Sequence, residues 1–341
     1  MCEILGNIGQ YIKKRKQDVQ QLLRDLFSGF LRSVFFIFAG YDIIVPVMIM
    51  LCNICPRNCS AQRTEIKGNG YCCCGTKARI ARVAPHFGEE PCISGTKGSG
   101  AVFFSGCNLK CVFCQNYEIS ALNRGRYATS AELAGHYKSL EDMGVHNINL
   151  VNCCHYLPSV LDSFKIYRPK IPIVYNSSGY EKTESLKMLD GIVDVYLPDF
   201  KYSDNSLALE YSSAGNYRET ALSAISEMVR QTGRPQFDEN GMILKGVIVR
   251  HLILPNHTAN SINALKILSE NFGDNILVSL MGQYIPWGKA KEYPKLSRKI
   301  TKREYDKVAD CMFRLDLDGY MQELSSADDS YIPKWDLADE V

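Results

Sequence analysis

Cys107-Asn108-Leu109-Lys110-Cys111-Val112-Phe113-Cys114-Gln115-Asn116 places three cysteines within eight residues, spaced C-x3-C-x2-C. Neither a helical nor a strand period brings all three side chains together, so the stretch reads as a loop that turns three thiolates toward one centre. A compact trio of thiolates suits iron and sulfur. Zinc sites are usually closed by four protein ligands, whereas a trio with no fourth partner close by leaves one iron of a cubane open to something else. The competing reading is a set of buried or zinc-binding cysteines. Against it stands the context: an apolar run, Ala101-Val102-Phe103-Phe104, and a Gly106 turn lead into the motif, a strand followed by a loop.

At 341 residues and a net charge of +2, the chain has room for one large α/β domain with an appendage, or for two domains. Its basic residues are spread out, so no nucleic-acid partner is expected. Fourteen cysteines would mean disulfides in a small secreted protein. In a chain of this length, with no signal peptide and with clustered C-x2-C and C-x3-C spacings, they point to metal in a reducing, cytoplasmic compartment.

Residues 1–51 read as an extension. Leu22, Leu23, Leu26 and Phe30 recur at helical spacing behind the basic stretch Tyr11 to Lys16, which predicts an amphipathic helix over 8–31. Residues 33–51 are 19 mostly apolar positions interrupted by Asp42 and Pro46. A membrane span takes about 20 such residues, and a central acid costs roughly 2.5–3.5 kcal/mol. A buried or interfacial segment is therefore favoured over a span. Met48 and Met50 are alternative starts for the mature chain.

A second cluster, Cys52-Asn53-Ile54-Cys55-Pro56-Arg57-Asn58-Cys59, is followed by Gly70-Tyr71-Cys72-Cys73-Cys74-Gly75. C-x2-C-x3-C with a further cysteine 13 positions on can close a four-thiolate site. Spacing leaves open zinc or a second iron–sulfur cluster, and leaves the last ligand open among Cys72, Cys73 and Cys74. Four unligated thiols in a polar loop would be a liability. Beyond it, the glycines of residues 95–100 read as a turn feeding a strand, since no helix follows to hold an anion, and His86 reads as structural.

From residue 129 the pattern is regular. Helices are expected over 129–143, 160–168, 184–189, 220–231, 261–272 and 301–315, with capping boxes at Thr129/Glu132 and Thr301/Glu304. Strands are expected over 101–104, 147–152, 171–176, 193–197, 247–254 and 276–281. Six short apolar strands alternating with helices imply a parallel sheet and a partial (β/α)6 barrel of the TIM type, with its chemistry at the C-terminal strand ends. The cluster loop leaves the first strand at that end. Polar residues past the other strands are Asn152 and His155; Asn176, Ser177 and Ser178; Asp199 and Lys201; Asn256 and His257; Gln283 and Tyr284. Arg250 lies inside the fifth strand. Asp199, Lys201 and Arg250 supply the charges an amino-acid headgroup needs, and amides and carboxyls suit ribose hydroxyls.

The cysteine spacing with an aromatic before the last cysteine resembles the radical S-adenosylmethionine (SAM) superfamily. Residues 101–120, Asn147 to Val151, Pro172 to Tyr180, Tyr196 to Tyr202, Arg250 to Asn256 and Glu89 to Gly95 look like its pyruvate formate-lyase-activating-enzyme-like subfamily, over roughly 52–320. The resemblance implies Cys107, Cys111 and Cys114 as ligands of a [4Fe-4S] cluster and Phe113 as a ring near the adenine. It also implies Cys72 as the fourth thiolate of a metal knuckle with Cys52, Cys55 and Cys59. The implied activity is reductive cleavage of SAM to a 5′-deoxyadenosyl radical that takes hydrogen from a glycine of a partner glycyl radical enzyme, with flavodoxin or ferredoxin as electron donor. A different peptide or a small metabolite is the alternative substrate, and a non-catalytic iron–sulfur or zinc protein the alternative class. The chain departs from the subfamily in Gly98-Ser99-Gly100 before the motif and in Cys153-Cys154, which read as small buried residues. The implied organisation is an extension (1–51), a cysteine-rich region (52–96), a radical SAM core (97–320) and a tail (321–341).

Overall fold

Both capping boxes form. Thr129 Oγ1 accepts from the Glu132 backbone N–H while the Glu132 carboxylate accepts from the Thr129 N–H, and Thr301 and Glu304 repeat the exchange. Each box satisfies donors that a helix start otherwise leaves open. The computed structural model describes residues 51–324 and Trp335. The expected helix over 8–31 and the apolar run over 33–50 lie outside them.

The strands are β1 (Leu51–Cys52), β2 (Ala61–Gln62), β3 (Ala78–His86), β4 (Ser99–Phe104), β5 (Arg126–Ala128), β6 (Ile148–Val151), β7 (Ile173–Ser177), β8 (Val195–Pro198), β9 (Gln236–Phe237), β10 (Ile243–Leu252), β11 (Leu277–Met281) and β12 (Gly319–Met321). The helices are α1 (Pro91–Ser94), α2 (Tyr117–Ser120), α3 (Ser130–Asp142), α4 (Leu157–Ile166), α5 (Thr183–Lys187), α6 (Asn205–Ser212), α7 (Tyr217–Thr232), α8 (Thr258–Phe272) and α9 (Lys302–Arg314).

Strands β4, β6, β7, β8, β10, β11 and β12 pair parallel in that order, so chain order and sheet order coincide. That is the progression of a (β/α) barrel, each step returning through helical crossovers. All six expected strands are present. A seventh, β12, follows, too short to show a period. On the other side β3 pairs antiparallel with β4, and β5 with β3. The segment before β4 is thus a hairpin arm as well as a turn, masked in the sequence by its arginines and the glycines after it.

Strand alternation divides the core. Val102, Phe104, Ile148, Leu150, Tyr175, Tyr196, Val247, Val249, Val278 and Leu280 pack with helix residues such as Leu133, Tyr137, Val160, Ile225, Leu265 and Val308. The alternate residues Val174, Val195, Leu197 and Ile248 pack instead with Cys92 and Ile93 of α1, with Leu277 and Tyr320 against them. Strands that are not neighbours in the sheet share this second cluster, so the sheet curls around α1, which plugs the N-terminal end of an open barrel. Above the plug the inner face stays open, and there the strand ends meet the cluster loop. No helix among the described residues is long and apolar enough to cross a membrane.

Candidate functional site

Gly106 turns the chain out of β4 with φ +86°, and a Cβ there would run into Cys74 Sγ. Only glycine accepts both the backbone and the contact. Past it, Cys107, Cys111 and Cys114 come to the wall of one cavity of about 500 Å³ at the C-terminal ends of the parallel strands. Each sulfur accepts hydrogen bonds. The Leu109 and Lys110 N–H groups donate to Cys107 Sγ (3.2 and 3.4 Å), Ser212 Oγ to Cys111 Sγ (3.0 Å) and Ser120 Oγ to Cys114 Sγ (3.3 Å). Burial pushes the Cys111 thiol up to about 12 and raises Cys114 as well. Such thiols hold their protons until a cation replaces them, which is how metal binding couples to proton release. These three are the only cysteines among the described residues lining the cavity.

The same cavity gathers Phe113, Asn152, Asn176, Ser178, Asp199, Lys201 and Arg250, every residue of the expected cofactor-binding set, together with Gln283. Asn152, left-handed at φ +59°, donates from Nδ2 to Gly106 O (2.7 Å) and ties the second strand end to the cluster loop. Gly179 is also left-handed, and a Cβ there would strike Asp199 O, so the third strand's loop lies directly on the end of the fourth. Ser178 Oγ, on that loop, is buried without a partner. Phe113 meets the buried Tyr284 edge-on (6.0 Å, 61°).

The charges are distributed differently from the expectation. Lys201 Nζ pairs with Asp199 Oδ2 at 2.5 Å. Burial would lower the Lys201 ammonium, but Asp199 and the nearby Cys111 outweigh it and raise it, so the lysine stays charged beside the thiols. Arg250 is not free for a ligand carboxylate. Its Nε donates to Glu90 Oε1 (2.8 Å), and Nη2 donates to Glu90 Oε2 (2.6 Å) and to Glu89 Oε2. Asn149 and Asn176 also donate to Glu89 Oε1 (2.9 and 3.3 Å). Glu89 and Glu90 line the cavity and were missed as site residues; the usable signal was an arginine inside a buried strand, which needs a carboxylate from elsewhere. Burial pushes the Glu90 carboxyl up, and Arg250's charge and hydrogen bonds more than offset it, holding it below the ordinary range.

Other expected polar residues lie apart from the thiols. Asn256 bonds to Glu304, Arg298 and Lys295, and His257 to the Tyr211 hydroxyl. His155 bonds to Ser105 O (2.7 Å) behind the loop, and Cys153 and Cys154 are fully buried with raised pKa, as small core residues. His86 does line the cavity.

Cys52, Cys55, Cys59 and Cys72 border a second, much smaller cavity, joined by Cys74. Cys73 is exposed, its Sγ against Tyr71 O, and does not border this cavity. Arg57 fastens this region to the cluster loop: it stacks on Tyr71 (3.9 Å) and donates to Asn108 O (2.7 Å) and Ser212 O (2.9 Å). Among the described residues no three His, Cys, Asp or Glu side chains converge as a single-ion site would require. In a cubane each thiolate binds a different iron, so its ligands are not drawn onto one ion.

Behind the third strand, Glu181 is fully buried, with the Tyr175 hydroxyl donating to Oε2 at 3.4 Å. Burial pushes its carboxyl up to about 8. The folded chain keeps this proton while the unfolded chain loses it above about pH 4.3, so stability falls as pH rises between those values, by up to about 1.4 kcal/mol per unit. Glu181→Gln removes that slope. In urea titrations the variant is expected to match the parent near pH 4 and exceed it increasingly toward pH 8; a difference independent of pH would contradict the assignment.

No family model matches the chain. Over 278 residues it is 31% identical to uncharacterized protein MJ0674 of Methanocaldococcus jannaschii, an alignment covering 78% of this chain and 75% of that protein. The chain belongs to the family of MJ0674. Solved structures similar to it include Streptococcus suis SuiB bound to precursor peptide SuiA (15% identity, TM-score 0.44, 65% of this chain and 48% of that one). Methylornithine synthase PylB (15%, 0.43, 68% and 72%) and HydG, a maturase of the [FeFe]-hydrogenase (16%, 0.43, 63% and 49%), are others. The chain spans about half the length of SuiB and of HydG. Likeness at this level assigns neither substrate nor cofactor.

Proposed function

We propose that this protein is a radical SAM enzyme with a [4Fe-4S] cluster on Cys107, Cys111 and Cys114. One observation carries the reading: among the described residues three thiols and no fourth line a cavity at the C-terminal ends of a parallel barrel, and each sulfur has a hydrogen-bond donor aimed at it. The donor set fits a cubane with one iron open, and the unpartnered Ser178 Oγ fits a polar ligand beside it. The cluster with SAM would supply one-electron cleavage of the sulfonium to a 5′-deoxyadenosyl radical, chemistry that belongs to the cofactor.

The chain's own residues bind and orient. Phe113 offers an aromatic face, Asn152, Asn176 and Ser178 offer hydrogen bonds for hydroxyls, and Asp199 with Lys201 offers charge of both signs. Lys201 also balances thiolate charge at Cys111 and Cys114. Arg250, held by Glu89 and Glu90, braces the wall from which Asn149 and Asn176 project. The substrate reading is a glycine of a partner protein. Exposed Phe87 and Met321 at the cavity support it by offering apolar contact to a peptide loop. A one-electron carrier such as flavodoxin or ferredoxin would be the donor. The knuckle of Cys52, Cys55, Cys59 and Cys72 or Cys74 is proposed as a second metal site, zinc or iron–sulfur.

The test is anaerobic reconstitution, metal analysis and a reductant-dependent assay for 5′-deoxyadenosine. About four irons with SAM cleavage are expected for one cubane, and zinc or further iron identifies the knuckle metal. A chain that assembles no cluster would remove the reading.

A further inference from the structure

Trp335 belongs to the chain beyond β12, at one edge of the open barrel, yet its ring packs on Phe103 of β4, near the other edge. The centroids lie 5.3 Å apart at 78°, and His86 meets the same Phe103 ring at 5.7 Å and 87°. Both are edge-to-face arrangements of the kind aromatic quadrupoles favour. Trp335 is half-buried against a small cluster of Ala101, Phe103, Ile119 and Val151. Phe103, Ile119, Val151 and His86 all line the thiol cavity, and so do Tyr320, Met321 and Gln322 at the β12 edge.

The cavity therefore has three walls of different chemistry. One carries the thiols, one carries Arg250, Glu89, Glu90, Asp199 and Lys201, and the β4 wall is apolar and aromatic. Among the described residues, the apolar cluster that forms the β4 wall is the one that Trp335 packs against.

We propose that Trp335 is the resting occupant of an aromatic subsite formed by His86, Phe103, Ile119 and Val151, and that the substrate enters by placing an aromatic or large apolar side chain there in its stead. The subsite stands on the packing. That its incoming occupant is a substrate rests on the radical-enzyme reading above. A tethered ring competes at an effective concentration set by its linker, so it sets a threshold that weak, non-substrate groups fail to cross.

The chain has two tryptophans, so full-length Trp287→Phe protein reports on Trp335 alone. Its emission is expected to be blue-shifted, with acrylamide quenching several-fold weaker than for N-acetyl-L-tryptophanamide, and Phe103→Ala should restore quenching toward the free amide. Free-amide quenching in the parent overturns the proposal. In equilibrium dialysis, full-length Trp335→Ala is expected to bind N-acetyl-L-tryptophanamide about tenfold tighter than the parent, because the tethered competitor is gone. Adding Phe103→Ala should abolish that binding. Equal binding by parent and Trp335→Ala, or no binding by the variant, also overturns it. Neither readout needs SAM cleavage, so a chain that shows the subsite and forms no 5′-deoxyadenosine keeps the subsite and loses both the radical assignment and the identity of the occupant as its substrate.

Discussion

Cys111→Ala is expected to abolish cluster assembly and SAM cleavage together while leaving the fold intact. Cys111 sits where Ser212 Oγ donates to it at 3.0 Å, with the Tyr202 hydroxyl 2.7 Å behind that serine and the Lys201 ammonium close by. These groups favour a thiolate at this point, and an alanine offers them nothing to bond. Two remaining thiols cannot hold a cubane against loss of iron, so iron should fall by about four per chain. Deleting one buried sulfur costs about 1 kcal/mol, a small part of a domain's stability. Far-ultraviolet circular dichroism and the melting temperature should therefore barely move while iron content, the reduced-cluster electron paramagnetic resonance signal and 5′-deoxyadenosine all go to background. Full SAM cleavage by this variant would sink the ligand assignment.

Arg250→Leu should have the largest effect on stability. The guanidinium is 12% exposed and faces two carboxylates, Glu89 at 6% and Glu90 at 5%. Removing it leaves two buried negative charges beside each other, and breaking a buried pair this way costs about 3–5 kcal/mol. The pH dependence follows from Glu90, whose carboxyl the folded chain holds low. In the parent that contribution is present above the unfolded carboxyl value, about 4.3, and is lost as pH falls through the lower folded value. In the variant Glu90, buried without its cation, is relieved by protonation instead. The difference between parent and variant should be greatest at neutral pH and shrink in acid. Converting Glu89 and Glu90 to glutamine in the Arg250→Leu background should recover most of the loss. A chain that melts like the parent at neutral pH, or a triple variant no better than the single one, would show that this triad does not hold the wall.

Much of the fold was legible because it rests on short-range rules. The helices over 130–142 and 302–314 begin at capping boxes written in four residues. The six expected strands were readable as short apolar runs between helices, since a strand buried on both faces needs apolar residues throughout. Strands β3, β5 and β12 were not, because they carry arginines or span only three residues and are held by pairing with a neighbour, not by their own pattern. The site divides likewise. Residues at strand ends could be nominated because a barrel points them to one side, and the cavity holds all of those nominated as cofactor-binding.

The sequence alone determined the thiol trio, since C-x3-C-x2-C after a strand and a glycine turn is a local geometry. It also determined the order of the sheet, because parallel strands joined in turn by helical crossovers of one hand lie side by side in chain order. Only the tertiary structure decided which charges are free. Arg250 meets Glu90 across 160 residues, so its apparent availability for a ligand disappears once the chain folds. Only the tertiary structure set Cys74 against Gly106 and Trp335 against Phe103. Local geometry is written in neighbouring residues, whereas neutralisation of a buried charge and the filling of a cavity wall depend on partners that no spacing in the sequence specifies.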